Sequence, residues 1–145
     1  MSPILEVVAP RLLGPALMVA AALIVKGYAD VGDGFSAAVI VALALGLRYI
    51  VLGPERTEAG LPIVRHAPAA AAGGLVLALA VAFFPIVLGD PPFTHLPGPG
   101  EPVVEIGSLE LITAVAFDVG LFVLVLSALT MLIHALGRLV AEAER

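Results

Sequence analysis

The sequence predicts an all-α membrane protein that crosses the bilayer about four times. Of its 145 residues, 61% are hydrophobic and 13% are charged, and the mean hydropathy is +1.12. Soluble domains contain about 45–50% apolar and about 25% charged residues. A chain of this length could not bury such an excess of apolar side chains away from water. We therefore expect the apolar surface to face lipid, with no soluble domain of appreciable size.

Four apolar stretches are long enough to be membrane-spanning helices, because a hydrocarbon core about 30 Å thick requires about 20 residues of helix. None of them shows the strict apolar–polar alternation of a barrel strand, and a helix satisfies its own backbone hydrogen bonds in lipid. The predicted spans form one four-helix domain and cover residues 12–28, 35–52, 67–88 and 109–136.

The connections between the spans differ in character. The first, residues 27–34, is short enough for a tight turn, and the second, residues 53–66, is polar and charged. The third, residues 89–108, contains five prolines, which predicts an extended and irregular excursion. The first span could be mistaken for a secretory signal, but Lys26 adjoins the small-residue segment that follows it, and three further spans come after. We interpret it as a membrane helix.

The distribution of Lys and Arg predicts the orientation in the membrane. With four spans, the two termini and the loop 53–66 share one side, and the opposite side carries only Lys26. Because cytoplasmic segments are enriched in Lys and Arg, we predict that both termini are cytoplasmic and that the loop 89–108 is external. The residues on the predicted cytoplasmic side are Arg11, Arg48, Arg56, Arg65, Arg138 and Arg145.

Composition argues against several classes of function. The chain has no cysteine, so it can form neither disulfides nor thiolate metal sites, and its three histidines lie far apart in sequence. No Ser–His–Asp or zinc-binding arrangement is present. The seven Lys and Arg residues form no run and the net charge is −5, which argues against a nucleic-acid partner. We expect no cofactor, no metal ion and no enzymatic activity.

One acidic residue lies deep in a predicted span. Asp118 is nine residues past the start of the fourth span, or roughly 13 Å along a helix, which is far for so short a side chain to reach the membrane surface. Charged residues inside membrane segments are costly and mark functional sites by default. Two interpretations stay open: the carboxyl group bonds to a neighbouring helix and only fixes packing, or it titrates or contacts a cation on an ion path.

A second group of charged residues lies around the first connection. Lys26, Asp30 and Asp33 occur beside Gly32 and Gly34, which allow the backbone to turn tightly. Two carboxylates beside a lysine are compatible with the mouth of a cation path, and equally with a solvated turn that holds a local ion pair. The ligand spacing of an EF-hand is absent, which argues against a calcium loop.

Two segments together resemble one family. Gly27–Phe35 (GYADVGDGF) is similar to the first-hairpin signature of the B subunit of multisubunit Na+/H+ antiporters of the Mrp (Mnh) type, a Gly and a few polar residues before Pro-Gly-Gly-Gly-Phe. Ala116–Leu121 (AFDVGL) resembles that family's second signature, Phe-Asp-aliphatic-Gly-Val, at the start of its last helix. The motif residues are Gly32, Gly34 and Phe35 in the first segment and Phe117, Asp118 and Gly120 in the second.

The resemblance covers nearly the whole chain, with two departures in the first motif. Val31 stands where the family usually has Pro, and Asp33 stands where it has the middle Gly. The resemblance implies a complex with other membrane subunits, including large antiporter-like ones, in a prokaryotic plasma membrane. Within it, Lys26, Asp30, Asp33 and Asp118 are candidates for an ion path.

The sequence therefore predicts an accessory, non-enzymatic subunit of a Na+/proton antiporter complex. The alternative within the same class is the equivalent subunit of an ion-pumping redox complex such as a membrane-bound hydrogenase. Two other classes are a small homo-oligomeric exporter and a purely structural membrane protein. Such exporters usually carry an acid in the first span, and the apolar stretch 12–25 has none.

Overall fold

A computed structural model describes residues 3–26, 33–94, 96–97, 102, 104–106, 109–111 and 113–143. This part of the chain contains four α-helices, and each is long and apolar enough to cross a membrane, which confirms the predicted fold class. A short 3-10 helix precedes the third α-helix, and a two-stranded antiparallel hairpin precedes the fourth. The elements are α1 (Pro3–Lys26), α2 (Asp33–Gly60), the 3-10 helix (Pro62–His66), α3 (Ala67–Leu88), β1 (Val104–Ile106), β2 (Leu109–Leu111) and α4 (Thr113–Ala143).

The four α-helices pack as a row rather than as a closed bundle. α1 packs on α2, α2 packs on α4, and α4 packs on α3, so the spatial order is α1, α2, α4, α3. The two central helices therefore have a protein neighbour on each side. The two edge helices, α1 and α3, carry many exposed large apolar residues along their length. This arrangement suits a chain surrounded by lipid or by other apolar helices.

Small side chains form most of the contacts between these helices. The cluster between α1, α2 and α4 is built on Ala20, Ala37 and Val41. Helices in lipid gain stability mainly from close van der Waals packing, which small residues allow. Many alanines of the predicted spans thus lie where the helices contact each other. Further buried small residues are Ala38, Ala42, Gly74, Ala78, Ala82, Ala114, Gly120, Ser127 and Thr130.

The chain of α2 folds back on itself at Gly53. The backbone of Gly53 has φ 79° and ψ 167°, a conformation that is essentially restricted to glycine. The hydroxyl of Thr57 donates a hydrogen bond of 3.2 Å to the carbonyl oxygen of Arg48, although nine residues of straight helix would separate them by about 13 Å. The straight part of α2 therefore ends near Leu52, where the second predicted span ends. We call residues 54–60 the folded-back segment.

Three helix boundaries, one in α1 and two in α4, differ from the prediction. α1 begins at Pro3 rather than at residue 12 and continues through Pro10 and Pro15. The prediction began the span after the charged Arg11, whose guanidinium instead donates 2.7 Å to the carbonyl oxygen of Val7 in the same helix. α4 begins at Thr113 rather than at residue 109, because residues 109–111 pair with residues 104–106 as strands. It also extends beyond residue 136, to Ala143.

The described part of the third connection folds back onto the ends of α3 and α4. The N–H of Phe93 donates 2.8 Å to the carbonyl oxygen of Ala82 in α3. The N–H of Leu96 donates 2.9 Å to the hydroxyl of Thr113, and the N–H of Thr113 donates 3.0 Å to the carbonyl oxygen of Leu96. These bonds fix the proline-rich segment against the helix ends that surround Asp118.

Candidate functional site

Gly34 of the first sequence motif meets the second motif where α2 crosses α4. Gly34, the second residue of α2, is buried against the backbone of Asp118. A Cβ atom on Gly34 would overlap the carbonyl oxygen of Asp118 and lie 3.0 Å from its Cα and carbonyl carbon. Any larger residue at position 34 would therefore push the two helices apart. The match of Gly34 to the family motif has a direct physical reason.

The same region of α4 is also in close contact with α3. A Cβ atom on Gly74 would lie 2.6 Å from the backbone nitrogen of Leu124 and 2.7 Å from the carbonyl oxygen of Gly120. Reciprocally, a Cβ atom on Gly120 would lie 2.8 Å from the backbone nitrogen of Ala78. Asp118 thus contacts α2 and Gly120 contacts α3. The second motif therefore lies where α2, α3 and α4 meet.

Aromatic residues connect this junction to the third connection. The ring of Phe117 packs edge-on against the ring of Phe93, with centroids 6.2 Å apart and an interplanar angle of 80°. Phe93 also packs against Phe83 of α3, with centroids 6.2 Å apart. Aromatic pairs of this geometry contribute about 0.5–1.5 kcal/mol beyond the area they bury. Phe117 therefore holds the connecting segment over the end of α3 and α4.

Asp118 is fully buried, with 0% of its surface exposed. It lies five residues after the start of α4, or about 8 Å along the helix, which is shallower than the roughly 13 Å expected from a span beginning at residue 109. The expected depth was wrong because residues 109–111 form a strand. The contact that the structure shows at Asp118 is the close packing of α2 at Gly34.

At Gly34, α2 approaches the backbone of Asp118. The atoms nearest Gly34 are the carbonyl oxygen, the carbonyl carbon and the Cα of Asp118. Any residue at position 118 supplies these atoms. The close approach at Gly34 therefore does not depend on which side chain occupies position 118. A carboxyl group buried in a membrane segment is a candidate functional group by default.

The remaining predicted site residues have different surroundings. Asp33 begins α2 beside Gly34, and its Oδ2 atom is buried without a hydrogen-bond partner among the described residues. Lys26 ends α1 and is exposed, and Phe35 is 54% exposed. Asp30 and Gly32 lie outside the described residues, so the grouping of Asp30 and Asp33 with Lys26 stays a prediction.

The structure shows a second polar cluster that the sequence analysis missed, at the other end of α4. Glu58 of the folded-back segment lies between two residues of α4: its Oε1 is 2.9 Å from Nδ1 of His134, and its Oε2 is 3.1 Å from Nη2 of Arg138. The hydroxyl of Tyr49 is 3.4 Å from the same Nδ1. We call Tyr49, Glu58, His134 and Arg138 the Glu58 cluster.

Two sequence signals could have indicated this cluster. His134 and Arg138 are four residues apart, which places them on one face of a helix. Gly53-Pro54 is a pair that interrupts a helix and favours a turn, which brings the following acidic segment back toward the membrane. In the sequence analysis Arg138 counted only toward membrane orientation. The 80 residues that separate Glu58 from Arg138 hide the contact from any local pattern.

The described residues contain no group of three or more His, Asp or Glu side chains that could hold a metal ion. A row of four membrane-length helices, joined through small residues around one buried acid, defines a multi-pass membrane protein. A family model described as "Domain related to MnhB subunit of Na+/H+ antiporter" matches residues 4–131. The chain therefore belongs to this MnhB-related family, which confirms the resemblance found in its two motifs.

A protein of Rhizobium meliloti (strain 1021) is similar over most of the chain. Its name describes it as the probable A/B subunit of a K(+)/H(+) antiporter, and it is 33% identical over 129 residues. The similarity covers 88% of this chain but 12% of that relative. The chain thus corresponds in length to a small part of a much larger antiporter protein.

Proposed function

We propose that the chain is an accessory, non-enzymatic subunit of a multisubunit monovalent cation/proton antiporter in a prokaryotic plasma membrane. The observation that carries this proposal is the family match over residues 4–131, a range that includes both sequence motifs. The family description names Na+, and the name of the relative from Rhizobium meliloti includes K+. We assign Na+ as the cation, in line with the family description.

The physical argument for an accessory role rests on what a coupled exchanger needs. Antiport requires sites for both ions and alternating access to them, commonly built from repeats and broken helices. Among the residues that the structure describes, Asp118 is the only charged residue that is buried. A single buried carboxyl group can belong to an ion path, but it cannot by itself couple the movement of two ions. Large antiporter-like subunits would supply the remainder, and the exposed apolar edges at α1 and α3 are available for packing against them.

Within this complex, Asp118 is proposed to contact the ion path and Asp33 to lie at its entrance. Asp118 is buried at the crossing that Gly34 makes possible, and Asp33 is the neighbour of Gly34 in sequence. Lys26 and Asp30 flank the same end of α2 in sequence and are the further candidates. Gly34, Gly120 and Phe117 have a structural role, since they fix the helices and the connecting segment around Asp118.

Expression of the chain in antiporter-deficient cells tests the accessory role. Alone, it should confer no resistance to sodium, because one buried acid cannot couple two ions. When it is expressed together with the large antiporter-like subunits proposed above, it should restore Na+/H+ exchange and should purify with them. Robust exchange by the purified chain alone in liposomes would refute the accessory role. Copurification with iron–sulfur or nickel proteins instead would assign the chain to a redox complex.

Reporter fusions test the predicted orientation. Fusions at Glu58 and after Ala143 should give a cytoplasmic signal, and a fusion at Gly98 should give an external one, because six Arg residues on one side face a single Lys on the other. A cytoplasmic signal at Gly98 would contradict this orientation.

A further inference from the structure

A groove runs between the 3-10 helix and α4, beside the Glu58 cluster. One cavity in it, of about 370 Å³, is lined by Arg65 of the 3-10 helix and by Glu58, His134 and Arg138. A second cavity, of about 230 Å³, adjoins the first and shares Val64, Arg65 and His134 with it. Since the two cavities have these walls in common, we treat them as one site and call it the Arg65 groove.

The Arg65 groove changes from polar to apolar along α4. Its second cavity is lined by Pro68 of α3 and by Thr130 and Met131 of α4. The hydroxyl of Thr130 donates 2.7 Å to the carbonyl oxygen of Leu126 in its own helix, which leaves this end apolar. Thr130 and Arg138 are eight residues apart, or about 12 Å along the helix. The groove is thus long enough to reach from the headgroup layer into the hydrocarbon of a bilayer.

The packing of α3 on α4 puts this change at the edge of the hydrocarbon. The two helices are antiparallel, and Gly74 contacts the backbone of Leu124. Seven residues from this contact in each helix, Ala67 lies roughly level with Met131. Ala67 is the first residue of α3, whose 22 residues extend about 33 Å and match a hydrocarbon core about 30 Å thick. The basic end of the groove therefore lies at the level of the lipid headgroups.

Arg65 is the cation of the groove that the described residues leave without a counter-charge. Among them, Arg65 is exposed and forms no ion pair. Arg138, in contrast, is 3.1 Å from Oε2 of Glu58, and Glu55 and Glu142 line a further cavity with it. Because Glu58 is already engaged by Arg138, no free acid in the groove faces an ammonium group. The charges therefore favour an anionic headgroup over a zwitterionic one.

We propose that the Arg65 groove binds one anionic phospholipid. The phosphate accepts hydrogen bonds from the guanidinium of Arg65, whose planar fork of donors matches phosphate oxygens. An acyl chain lies along Pro68 and Met131 at the apolar end. Basic pockets between membrane helices are suited to headgroups of this kind. The bound lipid bridges the 3-10 helix and α4 at the membrane surface.

Fluorescence quenching in the full chain tests the site without any transport assay. The chain has no tryptophan, so Ile63→Trp introduces a single reporter into the 3-10 helix, at a side chain that is 74% exposed. In nanodiscs, phosphatidylglycerol with brominated acyl chains should quench this reporter with about fivefold higher affinity than brominated phosphatidylcholine. That ratio corresponds to about 1 kcal/mol for one basic residue at an anionic surface.

A second reporter and three substitutions identify the source of the preference. Val87→Trp, 81% exposed near the other end of α3, should be quenched equally by the two lipids. In the Ile63→Trp chain, Arg65→Gln should abolish the preference and Arg65→Lys should keep most of it. The matched control is Arg56→Gln, which removes the same charge from an exposed residue that lines neither cavity, and it should keep the preference. Circular dichroism shows that each variant is folded.

Soluble phosphates separate a lipid site from a site for free phosphate. Inorganic phosphate and glycerol 3-phosphate carry the charge without acyl chains. Neither should displace the brominated phosphatidylglycerol more than sodium chloride does at the same ionic strength, because the apolar end of the groove also holds the lipid.

Three results would overturn the proposal. One is equal quenching of Ile63→Trp by the two brominated lipids. Another is the same loss of preference in Arg56→Gln as in Arg65→Gln, which would indicate a general effect of surface charge. The last is displacement of the lipid by either soluble phosphate beyond the sodium chloride effect. The measurement uses the isolated full chain, so a failure here would leave the proposed antiporter function untouched.

Discussion

Replacing Gly74 by alanine is expected to disrupt the packing of α3 on α4, whereas the same change at the neighbouring Gly73 is expected to be harmless. The new Cβ atom at position 74 would lie 2.6 Å and 2.7 Å from backbone atoms of Leu124 and Gly120. Backbone cannot rotate away as a side chain can, so the helices must separate. Overpacking of this kind costs about 1–3 kcal/mol. Thermal unfolding of the purified chain in detergent measures the effect.

Gly73 is a close control because it lies one residue away in the same helix. A Cβ atom there would meet nothing within 4 Å, and alanine is a better helix former than glycine by up to about 1 kcal/mol. Gly73→Ala should therefore be neutral or slightly stabilising. Equal midpoints for Gly73→Ala and Gly74→Ala would show that α3 and α4 are not in backbone contact.

The same contrast applies to the crossing of α2 and α4. Gly34→Ala places its Cβ against the carbonyl oxygen of Asp118, while Gly46→Ala in the same helix meets only the terminal Cδ1 of Ile133, at 3.5 Å. The first substitution should lower the equilibrium constant for folding about tenfold, which corresponds to about 1.4 kcal/mol, and the second should not. Thermal unfolding midpoints of the two purified variants provide the measurement, and equal midpoints would argue against the crossing at Gly34.

The membrane spans could be predicted because each depends only on the apolar character of consecutive residues. Each requires about 20 apolar residues in succession, and α3 runs from Ala67 to Leu88 as the apolar pattern indicated. Helix ends were harder to predict. α1 continues through Arg11 and Pro10 to Pro3, since a helix can extend out of the apolar layer into the polar region. The apolar pattern predicted that the fourth span begins at residue 109. Residues 109–111 instead pair with residues 104–106 as strands, so α4 begins after them.

The motif residues could be predicted, but not what they do. Sequence pattern identified Gly34, Asp118 and Gly120, yet only the fold shows that Gly34 touches the backbone of Asp118 and that Gly120 touches α3. The Glu58 cluster could not be predicted from composition, because its contacts span 80 residues and depend on the reversal at Gly53. The Gly53-Pro54 pair and the spacing of His134 and Arg138 are visible in the sequence, but neither shows that these two distant segments meet.

Converting Asp118 to asparagine is expected to reduce cation/proton exchange by roughly tenfold or more, while the complex still assembles. The reason is that an ionisable residue inside a membrane segment marks a functional site by default. Asparagine has nearly the shape of aspartate and keeps most of its hydrogen bonding, but it cannot ionise. Assembly should be retained because Gly34 contacts the backbone of Asp118, which the substitution leaves unchanged. Asp118→Ala is a poorer probe, because it leaves the surrounding polar groups without a partner.

The decisive quantity is flux per assembled complex, measured across pH with the subunits quantified in the same vesicles. Asp90→Asn provides the matched control, since Asp90 is an exposed carboxylate just after α3, and its flux should equal that of the parent. If Asp118 lies on the ion path, its asparagine variant loses flux at every pH, since the missing charge cannot be restored by deprotonation. If the carboxyl group only packs, flux and pH profile stay unchanged, and the proposed role of Asp118 is wrong.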